Sequence, residues 1–271
     1  MESLDVAVEI FFGKGPRLPM NSPADLYGHR HAEFYDAFHS TYAADRAFYL
    51  KMARRNPGPL LELACGTGRI GIELIEAGAD YFGMDASEGM LAMFRRKWIT
   101  SGRSGEPPLR QGDMRNFSLG RKFSVILITF NSLQHLQRDE EILQTFHCCR
   151  RHQAEGAPLI FDVFNPDRRF LDRDPKQIYP VTKFFDETRG EWCELSESNR
   201  YEPESRVNFI RWFYRYENGE SGTFQLEMRQ FFPQEMDALV EQAGFSIRKK
   251  WGDFVGSGFS AASPRQVFEC R

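Results

Sequence analysis

No uninterrupted apolar run in this chain comes near the ~20 residues that a helix needs to cross a bilayer; stretches such as Val125-Ile126-Leu127-Ile128 are far shorter. A basic excess is missing too, since 35 Lys and Arg face 38 Asp and Glu, for a net charge of −3. Such a chain has no general field for capturing a polyanion, so nucleic acid is not an expected partner. Cysteine is sparse: five residues, an odd number and widely scattered, fit reduced thiols better than a disulfide framework. The first residues lack the positively charged start of a secretory signal, with Glu2, Asp5 and Glu9 interrupting the apolar positions. Internal repeats and low-complexity tracts are absent. These absences together lead to the expectation of a cytoplasmic protein with no membrane partner.

What the chain does have is an apolar fraction of 41% over 271 residues, enough for a sizeable core. Residues 1–30 carry several breakers and weak periodicity, and read as an N-terminal extension in which Met20 is a candidate alternative start. Residues 31–271 read as a single domain. Helical spacing runs from His31 to Arg54, through Phe34, Tyr35, Phe38, Tyr42, Phe48, Tyr49 and Met52, with Pro57 and Pro59 closing one continuous helix. Short apolar strands then alternate with amphipathic helices. The strands are expected at 60–64, 81–85, 109–112, 123–130 and 159–164, and Ser87 is placed to cap the helix after the second. This alternation argues an α/β fold with a doubly wound, mostly parallel, Rossmann-like sheet. After Pro166 the pattern changes. Strand-like segments including Val207 to Tyr216, and an Asn218-Gly219 turn, predict an antiparallel β insertion over about 167–230, after strand five. Pro233 then opens a helix ending at Gly244, and 245–251 and 266–270 read as closing strands.

Four motifs fall at the carboxyl ends of consecutive strands, where open α/β sheets bind ligands. The first is Glu62-Leu63-Ala64-Cys65-Gly66-Thr67-Gly68-Arg69, whose small residues let the backbone pass close to a ligand. Asp85, followed by Ala86 and Met90, ends the second strand and is placed to accept both hydroxyls of a ribose. Gly112-Asp113-Met114 offers an acid and a thioether around an adenine. Phe130-Asn131-Ser132-Leu133-Gln134-His135-Leu136 follows the fourth strand. A ligand that is an amino acid at one end and a nucleoside at the other needs this order.

On these motifs, from about His31 to Pro166, the chain resembles the class I S-adenosylmethionine-dependent methyltransferases. Within them it is similar to the amino-sugar N,N-dimethyltransferases of antibiotic biosynthesis, through residues 109–124, the Phe-x-Ser-x-x-His-Leu stretch at 130–136 and the segment from Phe232 to Phe245. The insertion and the first thirty residues do not match, so the acceptor is not specified. The resemblance implies S-adenosyl-L-methionine as cofactor and in-line methyl transfer to a nitrogen or oxygen of a small-molecule acceptor. It further implies Tyr35 and Phe38 as a cover over the methionine end, Glu62 near the methionine ammonium, and His135 as the residue orienting or deprotonating the acceptor. Related enzymes are often homodimers through such insertions, so a homodimer is admitted. One departure is Ala64, where the family often has its first glycine; alanine is expected to serve because it tolerates any backbone with negative φ.

Competing readings exist. Gly66-Thr67-Gly68-Arg69-Ile70-Gly71 spells the dinucleotide fingerprint, with Asp85 about 20 residues on, as an NAD(P)-dependent oxidoreductase would have it. Against it stand the acid inside strand one, the third acidic station at Asp113 and the β-rich tail. Tyr179 and Lys183 have a spacing seen in hydride-transfer enzymes, but Pro180 makes the required helix improbable. Asn165-Pro166 reads as a turn. His147, Cys148, Cys149 and His152 share one helix and read as exposed histidine and core cysteine rather than a metal site. His29, His31 and His39 read as surface or cover residues.

Overall fold

The computed structural model describes residues 29–271; the expected extension and the candidate start at Met20 lie outside the described residues. Five strands, β1 (Pro59–Leu63), β2 (Asp80–Asp85), β3 (Leu109–Gln111), β4 (Val125–Ile128) and β5 (Leu159–Phe164), form the parallel part of a seven-stranded sheet. Two more, β10 (Ile247–Trp251) and β11 (Arg265–Cys270), complete it in the order β10-β11-β5-β4-β1-β2-β3, with β11 antiparallel to both its neighbours. The central strands are near-continuous apolar runs because both their faces are covered. Leu61, Leu63, Ile126, Ile128 and Phe161 point to one side, into a core shared with α5 (Asp139–His152) and α7 (Pro233–Gln242). Leu60, Val125, Leu127 and Ile160 point to the other, against α2 (Arg46–Arg55), α3 (Gly71–Glu76) and α4 (Glu88–Thr100). The doubly wound sheet is therefore as expected from the sequence.

The chain steps outward from β1 through β2 to β3, then returns to place β4 on the other side of β1. That reversal opens a crevice at the carboxyl ends of β1 and β4, the position where such sheets hold ligands. Between β5 and α7 the chain makes a short helix, α6 (Arg168–Leu171), and a four-stranded antiparallel sheet. Its strands are β6 (Tyr179–Asp186), β7 (Glu191–Glu202), β8 (Val207–Tyr216) and β9 (Ser221–Arg229). Helix α1 (His29–His39) packs on this sheet: Phe34 meets Phe184, Tyr214 and Phe224 at ring separations of 5.7, 4.9 and 5.2 Å.

The structure corrects the reading of residues 31–54 as one helix. The chain breaks between α1 and α2, where Ser40 Oγ donates to the carbonyl of Ala37 and Arg46 reaches the carbonyl of Ser40. Asp45, at the start of α2, is anchored by a two-pronged pair with Arg69, at 2.8 and 2.5 Å. A local periodicity contains no trace of that partner. A second correction concerns His152, which is buried rather than exposed. Its ring stacks on Phe117 at 4.4 Å and its Nε2 accepts the backbone N–H of Leu119, while His147 is exposed. Among the described residues, no helix is long and apolar enough to cross a membrane.

Candidate active site

A cavity of about 1270 Å³ fills the crevice at the carboxyl ends of the parallel strands. Ala64 and Gly66 after β1, Asp85 and Ala86 after β2, and Met90 on α4 line it. So do Gly112, Asp113 and Met114 after β3, and Phe130, Asn131 and His135 after β4. Tyr35 on α1 closes over the same space. The four motifs, spread along the chain from Ala64 to His135, thus face one volume together with Tyr35.

Glu62, Cys65, Thr67, Gly68 and Arg69 lie outside that lining. Glu62 is fully buried, and accepts hydrogen bonds from the hydroxyls of Tyr81 (2.6 Å) and Thr129 (3.0 Å). Burial pushes its carboxyl up to about 7 against those two donors. The Cys65 thiol is buried and its pKa raised by desolvation, which does not suit a nucleophile. Thr67 donates to Asp36 on α1 (2.6 Å), which also takes Lys97 from α4 (2.7 Å). A Cβ at Gly68 would stand 2.7 Å from the ring of Phe94, so that glycine serves close packing of the turn on α4. Arg69 pairs with buried Asp45 and lies 4.3 Å over the Phe130 ring. These residues shape and brace the cradle from behind.

The Asp85 carboxylate organises the front. Its Oδ2 accepts the backbone N–H of Gly66 and its Oδ1 that of Ser87, both at 2.8 Å, and burial raises its pKa against those donors. Ala86 adds a third backbone donor, and the carboxylate still has acceptor capacity for a ligand. Ser87 caps α4 as expected, accepting from Met90. At Gly66, with φ +56, a Cβ would meet no atom within 4 Å, so the space beside it stays open because the residue has no side chain. Asp113 is held by Arg115 through its backbone and guanidinium donors. Partial burial opposes ionisation, but these bonds keep its carboxyl below the ordinary range. Arg115 in turn reaches Glu141.

Ala64 departs from its expectation. Its φ is +55, in the left-handed region, not the negative range on which alanine's suitability was argued. The turn is imposed by its surroundings: Cys65 N–H bonds the carbonyl of Met84 and Gly68 N–H that of Cys65. Alanine serves there under strain.

Two contributors were not read from the sequence, and a third, His39, was read only as a surface or cover residue. Asp162, a lone acid within apolar β5, accepts from the Phe130 backbone (2.7 Å), the Tyr49 hydroxyl (2.5 Å) and Arg265 (3.0 Å). Arg265 also bonds Asn131 Oδ1 at 2.8 Å. This buried network fixes Phe130 and Asn131 at φ +57 and +61, the turn that starts the short 3-10 helix Ser132–His135. His39, set aside as a surface or cover residue, lines the cavity between Tyr35, Phe130 and the insertion's Trp212. Burial depresses the imidazoles of His39 and His135 to about 3 and about 4. His31 stacks near Phe224, and the side chain of His29 lies outside the described residues. Phe38 packs on Phe184 and Trp212 of the insertion, while Tyr35 alone of the expected pair lines the cavity.

The far wall comes from the insertion: Glu197 on β7, Ile210 and Trp212 on β8, Leu226 and Met228 on β9. Asn165 ends β5 in a turn, bonding the carbonyls of Ala261 and Ser263. Tyr179 and Lys183 lie on strand β6, not on a helix.

Residues 60–156 match the family described as a methyltransferase domain. The chain is 28% identical to YqeM of Bacillus subtilis, which carries a methyltransferase name, over 89% of this chain and 95% of that one. It is 33% identical to the dTDP-3-amino-3,4,6-trideoxy-alpha-D-glucopyranose N,N-dimethyltransferase of Streptomyces venezuelae, over 54% of this chain and 62% of that one. In fold it is similar to the CcbJ methyltransferase of Streptomyces caelestis, with a TM-score of 0.78 at 23% identity, covering 91% of this chain and 97% of that one. The oxidoreductase alternative gains no support from these relationships. The sheet order, the strand-end stations and these likenesses support an S-adenosylmethionine-dependent methyltransferase that resembles the class I enzymes and, among them, the amino-sugar methyltransferases.

Proposed function

We propose that this enzyme methylates the amino nitrogen of a small, sugar-like acceptor held between the parallel-sheet crevice and the antiparallel insertion. The carrying observation is the continuity of one cavity from Asp85 and Gly66 to the wall of Trp212, Leu226 and Met228. The activity for which the Streptomyces venezuelae relative is named supports an amino-sugar acceptor.

Asp85 would take the ribose hydroxyls with its remaining acceptor capacity, Asp113 and Met114 would border the adenine, and Ala64 and Gly66 would leave room for the methionine portion. Glu62 would act from behind the loop, through its hold on Tyr81 and Thr129. When bound, S-adenosylmethionine supplies a methyl group already activated by its sulfonium, which aromatic neighbours favour. What remains for the chain is to orient the acceptor, expel water and receive a proton. Tyr35, His39 and Phe130 form the aromatic collar suited to excluding water. His135 is uncharged at neutral pH because burial disfavours its cation, so its ring can accept a hydrogen bond from the incoming amine.

Incubation with S-adenosylmethionine and a panel of nucleotide-linked amino sugars, read by mass spectrometry, tests the proposal. A gain of one or two methyl groups on an amino sugar is expected. Transfer confined to acceptors lacking an amine would overturn the nitrogen assignment.

A further inference from the structure

The part of the cavity wall carried by β7, β8 and β9 is apolar except at one place. Ile210, Trp212, Leu226 and Met228 present carbon, and Glu197 presents a carboxylate with only 13% of its side chain exposed. Glu197 and Trp212 are cross-strand partners on β7 and β8. Glu197 Oε2 accepts the indole N–H of Trp212 at 3.2 Å, and Oε1 accepts Arg173 Nη1 at 3.0 Å. Arg173 is itself steadied over the rings of Phe170 and Tyr179, at 4.6 and 4.7 Å. The indole is set edge-on to Phe38 and Phe224. A carboxylate tied at both oxygens is pre-organised, and two donors fill only half of its acceptor capacity.

We propose that Glu197 is a specificity-determining residue that anchors the acceptor through the 4-hydroxyl beside a methylated 3-amino group; the proposal rests on the amino-sugar reading above. The anchor engages a hydroxyl, not the reacting amine, for an electrostatic reason. A carboxylate against the amine would favour its ammonium form, which has no lone pair to be methylated. A hydroxyl donates to a carboxylate in a short, charge-assisted bond without that cost. Sites that hold a substrate hydroxyl on a buried polar group discriminate against the analogue lacking it, because the group is then left unsatisfied.

Two probes isolate this contact: dTDP-3-amino-3,4,6-trideoxy-glucopyranose and its 4-hydroxylated 3,6-dideoxy counterpart, which differ in one hydroxyl beside the aminated carbon. Both are titrated calorimetrically into the full chain saturated with S-adenosylhomocysteine, so the readout is binding and does not depend on turnover. The wild type is expected to prefer the hydroxylated probe by at least roughly 10-fold. Glu197→Gln should cut that preference to roughly 2- to 3-fold, with S-adenosylhomocysteine affinity held within about 2-fold. Trp212→Phe, which releases only the tether on Oε2, should retain a preference for the hydroxylated probe. Equal wild-type affinity for the two probes overturns the anchor. So does an equal loss for both in Glu197→Gln, which would make Glu197 a brace for the wall. Loss of the preference in Trp212→Phe alone would move the anchor to the indole. Wild-type binding of neither probe would instead strike the amino-sugar reading itself, and the anchor with it.

Discussion

The backbone N–H of Gly66 donates to the carboxylate of Asp85 across 2.8 Å, joining the turn after β1 to the end of β2. Nineteen residues apart in sequence, the two motifs are one structural unit: the acid that would hold a ribose also sets the shape of the glycine turn beside it. Asp85→Asn keeps an acceptor for one backbone amide but removes the charge. Affinity for S-adenosylhomocysteine is expected to fall by roughly 100-fold, the value of one to two charge-assisted hydrogen bonds, while the fold persists. Calorimetric titration beside a circular dichroism spectrum checks both halves.

Ala64 at φ +55 holds a conformation that costs an L-residue roughly 1 kcal/mol. Ala64→Gly is expected to raise stability by about that amount, a rise in Tm of ~2–4 °C in a chain of this size. Ala64→Val should lower it. Thermal scans of the two variants suffice, and an unchanged Tm in both would show that the turn is not strained.

Arg265 and Asp162 come from the neighbouring strands β11 and β5, 103 residues apart in sequence, to pin the Phe130-Asn131 turn, with side-chain exposures of only 11% and 0%. Arg265→Leu leaves a buried carboxylate without its cation. The expected cost is about 3 kcal/mol of stability, with reduced turnover because the loop carrying His135 loses its support. Denaturant unfolding and initial rates would report this; a variant with full stability and full turnover would contradict it.

Glu62 makes stability pH-dependent in an unusual direction. Its folded pKa of about 7 stands above the ordinary value of 4.5, so the folded chain binds the proton more tightly than the unfolded chain. Its contribution is fully present below pH 4.5 and is lost as pH rises toward 7. Glu62→Gln cannot ionise. Its stability relative to wild type should therefore improve by up to about 3 kcal/mol between pH 4.5 and 7 and then level off. Paired denaturant titrations across that range measure it, and a constant difference would refute it.

His135→Ala is expected to lower kcat by roughly 10², with S-adenosylhomocysteine binding kept, because the amine loses the ring that accepts its hydrogen bond and orients it. Full turnover at saturating acceptor would remove that role.

Much of this was readable in the chain. Strands β1, β4 and β5 stood out because strands covered on both faces are short, near-continuous apolar runs, and the insertion because Asn218-Gly219 marks a hairpin. The stations at Gly66, Asp85, Asp113 and Phe130 were visible because ligand-side turns need small and acidic residues at strand ends. The break between α1 and α2 was hidden because the pair that anchors the start of α2, Asp45 with Arg69, spans 24 residues. Asp162 did leave a signal, an acid in Leu-Ile-Phe-Asp-Val-Phe, of the kind noticed at Glu62. His39 and Glu197 left none: what distinguishes them is the cavity they face, assembled from α1, the strand ends and the insertion.

Thermal unfolding of wild type and Asp85→Ala with S-adenosylhomocysteine or NADH in parallel tests the central claim most directly. At about 100 times the dissociation constant a ligand adds about 2.7 kcal/mol, a rise of several degrees. The account predicts a rise with S-adenosylhomocysteine in the wild type, its loss in Asp85→Ala, and no response to NADH. A rise with NADH alone would contradict the assignment of the crevice and of the enzyme.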